Sequence, residues 1–111
     1  MNKNEETWEK NFFQAILSLR NEVECKEFFE DICTIKEFQD LIHRLEVARL
    51  LSEGKVFNEI SRITGASSAT ISRVNKCLLY GAGGYRNIMK HLEEKGIEGF
   101  SYTNTEEHKN R

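Results

Sequence analysis

Val56-Phe57-Asn58-Glu59-Ile60-Ser61-Arg62-Ile63-Thr64-Gly65-Ala66-Ser67-Ser68-Ala69-Thr70-Ile71-Ser72-Arg73-Val74 is the stretch that decides the fold. Gly65 stands between two short helical periods, where a tight turn between crossing helices needs a positive φ. Ile60 and Ile63 are expected to face inward from the first helix. Ser61 is small enough to let the second helix approach, and Ala66 fills the corner. Ser67 is placed to cap the second helix, its hydroxyl accepting the amide of Thr70. Ile71 and Val74, three apart, anchor that helix to a core. The spacing predicts a helix-turn-helix over about residues 56–79.

The outward face of the second helix carries Ser68, Ala69, Thr70, Ser72, Arg73 and Lys76. With the capping Ser67, these are the candidate DNA-binding residues. Small side chains let a helix enter the major groove, and hydroxyls and methyls suit base edges. The amides of a helix N-terminus suit phosphate. Charge supports this assignment. Residues 1–40 carry five basic and ten acidic side chains, whereas residues 60–92 carry five basic (Arg62, Arg73, Lys76, Arg86, Lys90) and none acidic. An acid-free segment in a chain of formal net charge −2 marks a surface that meets an anion. The alternative is a helical protein–protein interaction module, but such a face would show large apolar groups.

Outward from this motif the chain reads as all-α, with about six helices and no long β-branched alternation. A first helix over about Glu6–Arg20 carries Trp8, Phe12, Ile16 and Leu19 on one stripe. Asn21 with Glu24, and Thr34 with Glu37, are capping boxes that open a second and a third helix. The third has Ile35, Phe38, Leu41, Ile42, Leu45, Ala48 and Leu51 as its stripe and ends at Gly54. A glycine-rich break, Gly81-Ala82-Gly83-Gly84, reads as a flexible joint before a last helix from about Tyr85 to Lys95.

The 111 residues suit one domain, residues 1–99, followed by a polar tail, 100–111, expected to be disordered. Trp8, Phe12, Phe13, Phe28 and Phe29 lie within 22 residues, too much apolar surface for so short a chain to cover alone. A homodimer follows. No apolar run approaches the ~20 residues of a membrane span. MNKNEETWEK has no apolar run behind a basic start, so no signal peptide is expected. A cytoplasmic protein with no membrane partner is the expectation. Cys25, Cys33 and Cys77 have neither disulfide-framework nor zinc spacing, and Cys33 and Cys77 are expected as buried thiols. GAGGY at 81–85 lacks phosphate-loop spacing, and Ser67, Ser68 and Ser72 have no nearby His or Asp. No enzyme, catalytic residue, metal or cofactor is expected.

Gly65 to Lys76 resembles the recognition helix of the Trp repressor superfamily. The wider pattern resembles its YerC/YecD-type, TrpR-like branch: Phe28 to Thr34, Arg44 to Ala48, Glu53-Gly54-Lys55, then Cys77, Leu78, Tyr80 and Gly81. The resemblance spans about residues 8–95. It implies an intertwined all-helical homodimer with six helices per subunit, and a transcription regulator, repressor-like, acting on double-stranded DNA. In that superfamily a small-molecule corepressor is held partly by arginines. Arg73 falls at one matching position, and the other lands near Arg44, Leu45 or Glu46. Arg44 and Arg73 are therefore the candidate effector-binding residues, with tryptophan not assigned.

Overall fold

The computed structural model describes residues 1–100; residues 101–111, nearly all of the polar tail expected from position 100, lie outside the described residues. The fold is all-α. Its helices are α1 (Lys3–Leu17), α2 (Glu22–Ile32), α3 (Ile35–Ser52), α4 (Phe57–Thr64), α5 (Ser68–Tyr80) and α6 (Gly84–Glu94).

Local capping chemistry sets most of the boundaries. α1 starts three residues before its sequence expectation, because the Asn2 side chain accepts the Glu5 amide at 2.9 Å. It stops at Leu17, where the backbone N–H and hydroxyl of Ser18 both turn back on the carbonyl of Ala15. Asn21 accepts the Glu24 amide at 2.9 Å. The Glu24 carboxylate returns to the N–H of Arg20, one residue earlier than a capping box requires. The box at α3 is complete: Thr34 Oγ1 accepts the Glu37 N–H at 3.1 Å, and Glu37 accepts the Thr34 N–H at 2.8 Å. α3 closes in a Schellman motif, with Gly54 N–H donating to Leu51 and Lys55 N–H to Leu50.

The chain divides into two compact units. The first, Met1–Phe38, is held by a run of rings. Phe12 meets Phe13 and Phe28 at centroid distances of 6.1 and 6.2 Å, Phe28 meets Phe29 edge-on at 5.4 Å, and Phe29 stacks on Phe38 at 5.9 Å. Each pair falls in the favourable aromatic range. Yet neither α1 nor α2 buries a single residue, and Trp8 is 62% exposed.

The second unit begins at Gln39 and contains the core: Val47, Ala48 and Leu50 of α3, Ile60 of α4, Ile71 and Val74 of α5, Met89 of α6, and Phe100. Four expectations are corrected here. Within α3, Val47 and Leu50 are buried, whereas Ile35 (81% exposed), Leu41 and Ile42 of the expected stripe are exposed in the single chain. Ile63 is 48% exposed, so that Ile60 is the isoleucine of α4 that enters the core. Cys77 is exposed and Cys33 half-buried, so neither is a buried thiol; Cys77 lies off the Ile71–Val74–Leu78 stripe that faces the core. Phe100, assigned by composition to the polar tail, is only 8% exposed. Its N–H donates to the Ile97 carbonyl in a turn that follows the Gly96 cap of α6.

Candidate nucleic-acid interface

The turn between α4 and α5 is built from side chains as well as backbone. Gly65 adopts φ 75°, and its N–H donates to the Ser61 carbonyl at 2.8 Å. A Cβ at Gly65 would meet nothing within 4 Å, so the backbone conformation, and not space, calls for glycine. Ser61 does more than allow close approach: its hydroxyl donates to the Ala66 carbonyl at 2.9 Å. Thr64 donates to the Ile60 carbonyl at 2.8 Å and accepts the Ala66 N–H at 3.1 Å. Four hydrogen bonds thus lock the corner, with Ala66 packed against the core.

Ser67 then caps α5, accepting the Thr70 amide at 3.2 Å while its hydroxyl donates to Thr70 Oγ1 at 3.1 Å. Ile71 and Val74 are buried. That burial fixes the opposite face outward. Ser67, Ser68, Ala69, Ser72, Arg73 and Lys76 are all exposed, and Thr70 is half-buried beside its cap. All seven candidate residues therefore fall within three turns at the start of one helix.

The electrostatics of this surface are one-sided. Arg62 approaches Glu59 at 3.9 Å. Among the described residues no carboxylate pairs with Arg73, Lys76, Arg86 or Lys90. The candidate effector cation Arg44 is likewise without a carboxylate, because Glu46 is taken by Arg49 at 2.7 Å. Those hydrogen bonds hold the Glu46 carboxyl below its ordinary value, outweighing its partial burial. Arg49 also reaches Glu53 at 3.2 Å and the Gly99 carbonyl at 3.4 Å.

One residue the sequence did not suggest is Tyr85, in the first turn of α6. It is half-buried and packs against the core cluster. Burial pushes its phenol above its ordinary value; Cys77 adds to the rise, and Arg44 and Arg73 oppose it. The two candidate effector arginines, from α3 and α5, thus lie within electrostatic reach of one phenol from α6. A Cβ at Gly81 would stand 2.5 Å from the Cys77 carbonyl oxygen, and Gly83 caps α6 at φ 89°. The demand for glycine at this joint is local backbone geometry at Gly81 and Gly83, while Gly83 and Gly84 have open space around them.

Among the described residues no group of three or more His, Cys, Asp or Glu side chains could hold a metal ion. No helix among them is long and apolar enough to cross a membrane.

Known proteins resemble this chain in sequence and fold. The chain is 49% identical over 89 residues to YerC, an uncharacterized protein of Bacillus subtilis strain 168, covering 80% of this chain and 86% of YerC. A TrpR-like protein from Eubacterium eligens ATCC 27750 superposes with a TM-score of 0.72 at 48% identity, over 79% of this chain and 88% of that one. A candidate Trp repressor from Staphylococcus aureus superposes with a TM-score of 0.75 at 39% identity, over 88% and 98%. Residues 6–93 match the family described as Trp repressor protein. With its six helices and its Gly65 turn, the chain belongs to the Trp repressor family, whose members are regulatory DNA-binding proteins and not enzymes.

Proposed function

We propose that this chain is a sequence-specific DNA-binding transcription regulator, repressor-like, acting as a cytoplasmic homodimer. The observation that carries this is the outer face of α5. After a locked turn and a capped N-terminus it presents Ser68, Ala69, Ser72, Arg73 and Lys76 to solvent, with no pairing carboxylate among the described residues. Arg73 and Lys76 neutralise phosphate, and their counterion release supplies sequence-independent affinity. Ala69, Thr70 and Ser72 are short enough to let α5 approach base edges, where a methyl or a hydroxyl discriminates. Family membership supports the same reading.

The homodimer rests on the first unit and on the first half of α3. Trp8, Phe12, Phe13, Ile35, Leu41 and Ile42 are exposed in the single chain. Burying each such side chain stabilises by roughly 1.5–3 kcal/mol, so a second copy is the natural cover. Arg44 and Arg73 are the cations placed to meet an anionic effector; tryptophan is not assigned. Retention of duplex DNA by the purified chain at low salt, and its loss in the Arg73→Ala, Lys76→Ala double variant, tests the reading. A protein-binding module would retain no duplex.

A further inference from the structure

We propose that residues 96–100 form a strap that is gripped by Arg49 of α3 and completes the core shared by α4 and α5, which makes Phe100 a positioning residue for the DNA-reading helix. The strap lies beyond residues 6–93, the span that the family accounts for. The inference rests on the DNA-binding reading of α5.

The chain turns back after α6. Gly96 N–H donates to the Glu93 carbonyl at 2.9 Å and Ile97 N–H to the Leu92 carbonyl at 3.0 Å, closing the helix and reversing the backbone. Phe100 N–H then donates to the Ile97 carbonyl at 3.2 Å. This turn delivers the Phe100 ring to the buried cluster that holds Val47 and Leu50 of α3, Ile60 of α4, Ile71 and Val74 of α5 and Met89 of α6. From α3, Arg49 grips the same segment. Its Nη1 donates to the Gly99 carbonyl at 3.4 Å and to Glu53 at 3.2 Å, while Nε and Nη2 donate to Glu46 at 2.9 and 2.7 Å. Two carboxylates thereby fix a guanidinium, and the guanidinium fixes a backbone carbonyl at position 99. Gly99 is fitted to that grip: its φ is 90°, and a Cβ there would stand 3.2 Å from Arg49 Nη1. The seat of α5 is therefore finished by a ring from outside the six helices. Interiors are close-packed, so loss of such a ring lets the helices that line its place shift. A shifted α5 is competent for DNA only part of the time, and affinity falls by that fraction.

The test uses the full chain and a duplex recovered by selection, at a temperature where circular dichroism shows each variant folded. Phe100→Ala and Gly99→Ala are each expected to lose about tenfold in DNA affinity, as for a reading helix that is competent only about a tenth of the time. The slope of log affinity against log salt should stay that of wild type, because neither residue meets a phosphate. Phe100→Leu keeps most of the apolar volume and should stay within about threefold of wild type. If Phe100→Ala does not fold, Gly99→Ala leaves every core side chain in place and carries the test. Folded variants that bind like wild type, with only a lowered thermal midpoint, would overturn the proposal, since the strap would then serve stability alone. A flattened salt slope would also overturn it, by placing the segment at the phosphates. If wild type itself binds no duplex, the DNA-binding reading falls first. Amide exchange in the free protein then reads the strap directly: exchange over residues 57–80 should quicken in Gly99→Ala, and unchanged exchange would overturn the strap.

Discussion

Ser67 binds Thr70 twice, accepting its amide at 3.2 Å and donating its hydroxyl to Thr70 Oγ1 at 3.1 Å. The second bond ties the Thr70 hydroxyl to the cap. A residue that caps the helix therefore also orients a hydroxyl on the reading surface.

Replacing Thr70 with Val keeps its shape and removes that hydroxyl. The expected result is an altered base preference at one position of the site, with thermal stability close to wild type. Ser67→Ala removes the cap and should cost about 1 kcal/mol of stability. Denaturant unfolding of both variants checks this; equal losses would show that the hydroxyl of Thr70 serves the fold.

Lys76 lies exposed with no carboxylate partner among the described residues. Lys76→Ala should weaken binding to all duplexes alike and flatten the plot of log affinity against log salt by about one unit of slope. Titrations at several salt concentrations measure it, and an unchanged slope would place Lys76 away from the phosphates.

How much of this was legible in the sequence depends on the range of each interaction. Ser67, Gly65, Gly54 and the Thr34–Glu37 box act within five residues, and each was readable from residue type and spacing. Asn2 was equally local, but the nearest apolar position, Trp8, drew the expected start of α1 inward. Ile63 shows the limit of periodicity in a two-turn helix, where several phases fit equally well. Phe100 and Tyr85 were not readable. Phe100 joins a buried cluster drawn from α3, α4, α5 and α6, most of it distant in the chain, and composition alone joined it to its polar followers. The core against which Tyr85 packs exists only once the helices have come together.

Arg49 holds the Glu46 carboxyl below its ordinary value. A carboxylate depressed in the folded state gives its stabilisation in full above the unfolded value, about 4.3 for Glu, and loses it as pH falls through the folded value. Glu46→Gln should therefore lower the thermal midpoint at neutral pH. The difference from wild type should shrink as pH falls below about 4. Because Glu46 is partly exposed, solvent screening limits the neutral-pH loss to at most about 1 kcal/mol. Circular dichroism melts across pH check it; a difference that persists undiminished at low pH would contradict the pairing.

The exposed apolar residues of α1 and of the first half of α3 predict a dimer that does not dissociate without unfolding. Sedimentation equilibrium at micromolar concentration should give twice the 12.9 kDa chain mass. A folded monomer there would contradict the proposed cover.

Selection of bound fragments from a random duplex pool tests the assignment of α5 most directly. The expected product is a motif with two half-sites related by a two-fold axis, spaced by about one helical turn or a multiple of it. The enrichment should vanish in the Arg73→Ala, Lys76→Ala double variant while its fold remains. A wild-type protein that enriches no sequence, and retains no duplex even at low salt, would contradict the claim that this helix reads DNA.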